Sequence, residues 1–589
     1  MIILKRFISP LLFLFFAWFV VSNQDAKAII AGIAIFLIGM HYMENGFKLF
    51  SGGALEVVLE KFTSTTPKAV GTGFLATAVV QSSSLVSVIV ISFLSAELIG
   101  LTQAVGIVFG SNIGTTTTAW LVSSFGLKIK IAEYALPMLI FGVILQFSKQ
   151  SSYKGIGSVL IGLGFIFLGI SYMKDGFETL KDQLDLAEYA MQGYLGVFVY
   201  ILFGAIATVV IQSSSATMAI IITALASGQI DYINALSLAI GANVGTTVTA
   251  VIGAMASNKN GKRLAVAHLI FNVITGLIAV VFIYQLKDLV DILAPLLSIS
   301  PTDDGMKLAL FHTIFNVVGV IAVTPFTKPL VNFLGTLFCQ KEQGRGKAKY
   351  LTDEVMAIPA SALAALQKET EHLYDKSLEA IVHAMNLHRS DIFSDTKINK
   401  IIEQSVSPIK IDINEIYQND IKHLYGEIIH YSSISQTYMD KEGNNQIYEL
   451  KITARNIIEM VKDVRELQKN LNFYTRNKNK EMIGKYNQLR MQLITVLREL
   501  QDIRNIEGAD EDIFTKIEVL KETSRENEMS LNHEVDLLIR DKKIDSTMGS
   551  SLINDVGFTF SICKKFLKSA TTLWVKDEQV KQLGDNYED

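Results

Sequence analysis

Long apolar segments separated by short polar loops fill the first 340 residues, whereas beyond that point charged residues are dense and apolar residues are spaced. Long apolar runs are typical of membrane-spanning helices, and apolar residues at helical spacing are typical of soluble helices. We therefore predict an all-α protein in two parts. The expected domains are a polytopic membrane part over 1–340, a basic linker at 341–349 and a soluble helical part over 350–589.

The first apolar run, Phe7 to Val21, follows Lys5 and Arg6 and has the form of a secretory signal. It lacks a convincing cleavage site and more apolar segments follow it, so we expect a retained first helix. Later segments predict further helices. These are expected at 29–42, 101–124, 131–146, 156–172 and 235–253, with two more spans before residue 340.

Two other apolar segments each carry a polar cluster of one glutamine and three serines. The first QSSS cluster, in 69–98, is Gln81, Ser82, Ser83 and Ser84, and the second, in 204–225, is Gln212, Ser213, Ser214 and Ser215. Each arm holds about a dozen residues, whereas a span needs about 20. We predict two re-entrant hairpins whose half-helices meet at the clusters. A simpler interpretation is that the serines and threonines only pack helices closely.

The two clusters belong to a repeated unit. They are 131 residues apart, and the same offset relates 110–116 to 241–247 without a gap. The repeats extend over about 29–147 and 156–285. One unit of helix, hairpin, helix and helix crosses a membrane an odd number of times, so the two copies must lie in opposite orientations. A modest excess of lysine and arginine in the inner loops agrees when the amino terminus is inside. Inverted repeats with discontinuous helices are typical of secondary transporters.

Glycine and small polar residues interrupt the segment after each hairpin, with Gly110, Ser111 and Asn112 at the centre of 101–124. Glycine weakens a helix interior, and serine, asparagine and threonine offer partners to freed backbone groups. We therefore predict helices broken at mid-membrane, with exposed carbonyl and side-chain oxygens. The candidate ligands for a hard cation such as sodium are Asn112, Thr115, Thr116, Asn243, Thr246 and Thr247.

Charge and composition restrict the function. Near the clusters the charged residues are Glu97 and Asp231, both at segment ends. An anion there would rest on half-helix N-termini and serine hydroxyls, with a bound cation offsetting its charge. The residues thus indicate an oxyanion with sodium but not which oxyanion.

The composition argues against other functions. The net charge of −4 argues against nucleic-acid partners, and Cys339 and Cys563 are too few and too distant for a disulfide framework. Since no nucleophile–base pair or P-loop occurs, we expect neither an enzyme nor a cofactor.

These motifs resemble the type II sodium/phosphate cotransporter family, in its bacterial form with a PhoU-like tail. The resemblance rests on the paired QSSS clusters, the two G-(S/A)-N-(I/V)-G-T-T motifs and a paired H-x-x-F-N motif at 268–272 and 312–316. It implies sodium-coupled transport of inorganic phosphate across the bacterial plasma membrane by a homodimer with a cytoplasmic tail. It also implies that the two QSSS clusters form the phosphate-binding region. We interpret His268 and His312 as packing residues, and Asn272 and Asn316 as better site candidates.

In the soluble part, apolar residues at helical spacing predict an antiparallel bundle of long helices, which follows a flexible basic connector at 344–349. PhoU proteins can bind metals through E-x-x-x-D pairs, and Glu459 and Asp463 match that pattern. The second repeat has Gly557 and Ser561 where its acidic pair should stand. We therefore favour solvated acids over a metal cluster, and a regulatory role for the tail.

Two alternatives stay open. The repeats could bind phosphate without moving it, as a membrane-anchored sensor that signals through the tail. The same framework could also transport or export another oxyanion.

Overall fold

The structure is a computed structural model that describes residues 17–18, 20–51, 54–126, 132–183, 191–254, 258–338, 346–352, 356, 358–405, 407–476, 478–506, 509–575 and 577. All regular structure in these residues is helical, which confirms the all-α prediction. The contacts divide the chain into two compact units, Met1–Gln340 and Lys341–Asp589. Most of the helix predicted at 7–21 lies outside the described residues.

The first unit is built of apolar helices. They are α1 (Gln24–Ser51), α2 (Ala54–Lys61), α3 (Thr66–Val80), α4 (Ser83–Ser95), α5 (Leu101–Leu121), α6 (Ala132–Gln146), α7 (Ser151–Gln183), α8 (Gly193–Ile211), α9 (Ser214–Ala226), α10 (Tyr232–Ala254), α11 (Lys259–Val281), α12 (Ile283–Leu296), α13 (Asp304–Val323) and α14 (Thr327–Thr336). Six stretches are long and apolar enough to cross a membrane, namely Ala26–Phe50, Ser151–Lys181, Gly193–Ile211, Tyr232–Ile252, Lys259–Val281 and Asp304–Thr336. The chain is therefore a multi-pass membrane protein.

Both QSSS clusters lie at a helix–helix junction, as predicted. Gln81 ends α3 in the left-handed conformation, with φ of 58°, and its amide donates to the Thr77 carbonyl at 2.8 Å. Ser82 then begins α4, because its hydroxyl accepts from the Leu85 amide at 3.2 Å. Gln212, with φ of 62°, and Ser213 repeat this arrangement between α8 and α9. The second hairpin differs in length, because the apolar run that forms α8 begins at Gly193 rather than near residue 204.

The prediction of broken helices at Gly110–Asn112 and its repeat is wrong, because α5 and α10 run continuously through these positions. Glycine serves close packing here. A Cβ added at Gly110 would lie 1.9 Å from the Val70 carbonyl oxygen, and one at Gly241 would lie 2.1 Å from that of Ile201. The polar side chains bond their own helix instead of freed backbone, as when Asn112 Nδ2 donates to the Val108 carbonyl at 2.9 Å. The irregular turn lies later, as a π-helix at Val122–Gly126.

The equivalent helices α1 and α7 show the symmetry of the repeats. Gly32 faces Gly169 and Gly39 faces Gly162, and a Cβ added to any of the four would lie 2.7 Å from the carbonyl oxygen of its partner. At an offset of 130 residues, Gly32 corresponds to Gly162 and Gly39 to Gly169. The two contacts are therefore one contact related by a two-fold axis between antiparallel helices. This confirms the inverted repeats.

The second unit is also helical. Its elements are α15 (Pro359–Ala384), α16 (Arg389–Ile392), α17 (Ile398–Gln404), α18 (Ile413–Ile416), α19 (Lys422–Ser435), α20 (Lys441–Tyr474), α21 (Lys480–Arg504), α22 (Asp510–Arg540) and α23 (Ser546–Trp574). Helix α20 packs against α15 and α23, and α23 packs against α22. The largest wholly buried side chains include Tyr431, Tyr486 and Phe566.

The described part of the basic connector is hydrogen-bonded to helices of the second unit. The amides of Lys349 and Tyr350 each donate to one oxygen of Glu369 at 2.7 Å, and this carboxylate is wholly buried. The Ala348 amide donates to Glu427 at 2.7 Å. Carboxylates of the helices thus accept hydrogen bonds from the backbone of this segment. Residues 341–345 lie outside the described residues.

Candidate ion-binding site

The two QSSS clusters meet in space through one threonine of α5. Thr118 Oγ1 donates to Gln81 Oε1 at 2.8 Å and lies 3.3 Å from Ser215 Oγ. All three side chains are buried. Residues of two motifs that are offset by 131 positions in sequence therefore form one polar centre among apolar helices. A polar centre at such depth is typical of a functional site.

Gln81 is held firmly. Its Nε2 donates to the Ala78 carbonyl and to Thr117 Oγ1, the latter at 2.7 Å, while its Oε1 accepts from Thr118. Both amide hydrogens are therefore in use. The backbone turn at Gln81 is fixed by its side chain as well as by its amide.

Gln212 occupies the equivalent position in a different environment. Its side chain is exposed, and its Nε2 donates to the Val209 carbonyl at 3.0 Å. Ser213 accepts from the Ala216 amide at 3.2 Å. Identical sequence motifs thus present different groups, and the first cluster is the more enclosed.

The remaining serines lie in the first turns of the two half-helices. Ser83 and Ser84 begin α4, and Ser214 and Ser215 begin α9. The amides of a first helical turn lack partners within their helix and carry partial positive charge. Each hairpin therefore offers an oxyanion both amide and hydroxyl donors.

Glu44 contacts the first cluster, although it was not predicted from the sequence as a site residue. Ser82 Oγ donates to Glu44 Oε2 at 3.3 Å, and Lys48 Nζ lies 3.4 Å from Glu44 Oε1. Glu44 belongs to α1, far from the hairpin in sequence. A carboxylate inside an apolar span was the signal that would have found it.

The amides predicted as cation ligands meet the paired H-x-x-F-N motif. Asn112 Oδ1 lies 3.4 Å from His268 Nε2. Asn243 Nδ2 donates to Asn272 Oδ1 at 3.4 Å and to Asn316 Oδ1 at 3.3 Å. The structure therefore joins α5 to α11, and α10 to both α11 and α13, through buried polar side chains.

The predicted threonine ligands mostly bond their own helices. Thr115 and Thr246 donate to the carbonyls of Ser111 and Ala242, and Thr116 and Thr247 donate to those of Ile113 and Val244. Their oxygens keep lone pairs for a cation. Because α5 and α10 are unbroken, such a cation would rely on side-chain oxygens rather than on carbonyls exposed by a break.

Several buried polar atoms around this centre have no hydrogen-bond partner among the described residues. They are Thr77 Oγ1, Ser111 Oγ, Thr275 Oγ1 and His312 Nδ1. Buried polar atoms are nearly always paired in native structures. These groups are further candidates to contact a bound ion, although the sequence suggested other roles for Ser111 and His312 and did not single out Thr77 or Thr275.

In the second unit, Glu459 and Asp463 form ion pairs. Lys565 Nζ lies 2.7 Å from Asp463 Oδ2 and 3.7 Å from Glu459 Oε2, and Ser561 donates to Asp463 at 2.9 Å. An ammonium group therefore stands between the two carboxylates that were weighed as metal ligands. Among the described residues, no group of three or more His, Cys, Asp or Glu side chains could hold a metal ion.

The fold and the site define a multi-pass membrane protein whose inverted repeats bring two hairpin tips to one polar centre. The model of the family described as Na+/Pi-cotransporter matches residues 35–175 and 188–308, which include both QSSS clusters. The chain belongs to the Na+/Pi-cotransporter family.

Three relatives of the chain illustrate what it is similar to. It is 28% identical over 363 residues to the "Putative inorganic phosphate export protein YjbB" of Escherichia coli K12, covering 61% of this chain and 64% of that protein. It is 30% identical over 263 residues to the "Uncharacterized protein YqeW" of Bacillus subtilis, covering 45% and 84%. A shorter match, 38% over 84 residues and 14% of each chain, is to the mouse "Sodium-dependent phosphate transport protein 2C". No solved structure matches the chain.

Proposed function

We propose that this protein is a secondary transporter that moves inorganic phosphate together with sodium across the bacterial plasma membrane. The observation that carries the proposal is the contact of Gln81 and Ser215 with Thr118, which joins the two QSSS clusters. A site shared by two oppositely oriented repeats is suited to exposure first on one side of a membrane and then on the other.

Phosphate binds at the serines and free amides of the two hairpin tips. These groups are hydrogen-bond donors, and the half-helix N-termini add partial positive charge. Phosphate carries one to two negative charges at neutral pH, and the tips hold no arginine or lysine. A cation that binds with it offsets this charge. The proposed sodium ligands are the oxygens of Asn112, Thr115, Thr116, Asn243, Thr246 and Thr247.

The second unit regulates transport as a PhoU-like domain on the cytoplasmic side, and the transporter works as a homodimer. Support for regulation comes from the connector, whose backbone is clamped to this unit by Glu369 and Glu427.

Phosphate flux in proteoliposomes tests the proposal. Purified protein is reconstituted, and radiolabelled phosphate uptake is followed with an inward sodium gradient, with equal sodium on both sides and with potassium replacing sodium. We expect uptake to follow the sodium gradient. Saturable phosphate binding with negligible flux would instead support a sensor, and flux indifferent to sodium would reject the coupling.

Direction and selectivity need separate measurements. The name of the Escherichia coli relative speaks of export, so efflux from preloaded vesicles is measured beside uptake. Competition by arsenate, sulfate and carboxylates identifies the preferred anion. If one of these anions inhibits the flux more strongly than unlabelled phosphate does, that anion and not phosphate would be the preferred substrate.

A further inference from the structure

Glu44 is an acidic residue within an apolar stretch. The candidate span Ala26–Phe50 contains Lys27, Glu44 and Lys48 as its charged residues. Glu44 lies where α1 passes the first QSSS cluster, and its carboxylate is about two-thirds buried, with 30% of the side chain exposed. A carboxylate in such a position is unfavourable unless a partner or an ion offsets its charge.

The contact with Glu44 changes what Ser82 can do. The Ser82 hydroxyl accepts from the Leu85 amide and donates to Glu44 Oε2. A hydroxyl has one hydrogen, so a Ser82 bound in this way has none left for an oxyanion. It presents a lone pair beside a carboxylate, and both attract a cation.

The neighbouring Gln81 also lacks a free hydrogen-bond donor in its side chain. Both hydrogens of the Gln81 amide are given to Ala78 and Thr117. In the second cluster, by contrast, Gln212 is exposed, and no carboxylate of the described chain lies within hydrogen-bond distance of Ser213. At Gln81 and Ser82 the first cluster therefore presents acceptors, whereas the equivalent Gln212 and Ser213 of the second cluster retain donors.

Neither Lys48 nor the repeat symmetry accounts for Glu44. The Lys48 ion pair is long, at 3.4 Å, so it offsets the charge of the carboxylate only in part. At the offset of 130 residues the equivalent of Glu44 is Lys174, which pairs with Glu178. A negative charge at this position is thus a feature of the first repeat alone, since the equivalent ion pair has its charges reversed.

We propose that Glu44 is a ligand of a second coupling sodium ion, in addition to the one proposed at α5 and α10, and that this ion binds between the Glu44 carboxylate and the Ser82 hydroxyl at the first QSSS cluster. This inference rests on the proposed sodium-coupled transport. The bound ion removes the repulsion between Glu44 and an incoming oxyanion, which is then held between the ion and the donors of the second cluster. Sodium binding thereby prepares the site for the anion.

Two substitutions of opposite effect test this ligand. Glu44→Gln keeps the shape and an acceptor for Ser82 but removes the charge. We expect it to raise the sodium concentration for half-maximal phosphate flux by about tenfold. Lys48→Gln removes the competing cation, and we expect it to lower that concentration by about two- to fivefold. The matched control is Glu178→Gln, which breaks a similar i,i+4 ion pair on the equivalent helix.

Flux is measured in proteoliposomes at fixed pH and saturating phosphate, with membrane insertion checked for each variant. A sodium requirement within twofold of wild type in Glu44→Gln overturns the inference, and so does an equal change in Glu178→Gln. If Glu44→Gln does not fold, an unchanged or raised sodium requirement in Lys48→Gln overturns it. A wild-type flux that ignores sodium would instead refute the proposed function, so the two failures are distinguishable.

Discussion

At the residue scale, the site depends on a few hydrogen bonds that could not be predicted from the sequence. The motifs singled out the two clusters, because a glutamine and three serines recur in apolar surroundings. They did not predict that Thr118 joins the clusters or that Glu44 faces Ser82, since both contacts form between helices distant in sequence. Such contacts depend on how the helices pack.

Thr118→Val tests the joint between the clusters. Valine has the shape of threonine but leaves Gln81 Oε1 and Ser215 Oγ without their shared partner. One lost neutral hydrogen bond is worth about 1 kcal/mol, so we expect transport to fall by about fivefold to tenfold while insertion is retained. Thr179→Val, which removes a hydroxyl bonded within the exposed face of α7, is the control. Equal flux in both variants would remove Thr118 from the site.

Asp555 gives the second unit a pH dependence. Its carboxyl is 1% exposed, and burial raises its pKa to about 6, although hydrogen bonds from Tyr486 and Asn470 oppose the shift. In the unfolded chain the pKa is about 3.9. Between these values the folded state keeps a proton that the unfolded state has lost. The contribution to stability is therefore full below about pH 4 and is lost as pH rises through 6.

We expect Asp555→Asn to stabilise the second unit at pH 7 by about 2 kcal/mol and to flatten its stability between pH 4 and 6. Asparagine keeps an acceptor for the Tyr486 hydroxyl. Thermal unfolding of the full-length protein in detergent, followed by proteolysis of the tail at each pH, measures the effect. Asp536→Asn, an exposed change on α22, is the control. A destabilised Asp555→Asn at pH 7 would contradict this assignment of the charge.

At the element scale, glycine has a role that its propensity does not reveal. Glycine in a membrane helix can break it or let a neighbour approach, and the local sequence is compatible with both. The prediction chose the break, whereas packing of α3 on α5 shows the approach. The helix–helix junctions at the clusters were predictable, because each polar cluster interrupts an apolar run, whereas the short first arm predicted for the second hairpin was wrong, since α8 has 19 residues.

Two glycines of α3 separate these effects. A Cβ added at Gly73 would lie 2.0 Å from the Ile107 carbonyl oxygen, whereas one at Gly71 meets nothing within 4 Å. We expect Gly73→Ala to displace the hairpin, destabilise the protein by about 1–3 kcal/mol and abolish most transport. Gly71→Ala should be neutral or stabilising by up to about 1 kcal/mol. Detergent stability and flux measure both, and a tolerated Gly73→Ala would show that α3 and α5 are not so tightly packed.

At the scale of the whole molecule, the sequence offset becomes a spatial two-fold axis. The opposite orientation followed from counting crossings, and the reciprocal glycine contacts of α1 and α7 realise it. The start of α8 could not be predicted from the sequence, because apolar residues extend on both sides of residue 204. The hydrogen bonds of the connector could not be predicted either, because they form with residues distant in sequence. The same symmetry brings two identical motifs to one centre but leaves their surroundings different.

The central claim is that one phosphate site is built from both repeats, and binding to single-cluster variants tests it most directly. Radiolabelled phosphate is bound to purified Ser83→Leu and Ser214→Leu in saturating sodium, beside wild type. We expect each substitution alone to lower the affinity at least about a hundredfold, because each blocks one side of the same site. Wild-type affinity in either variant, with the protein folded, would contradict a site shared by the two repeats.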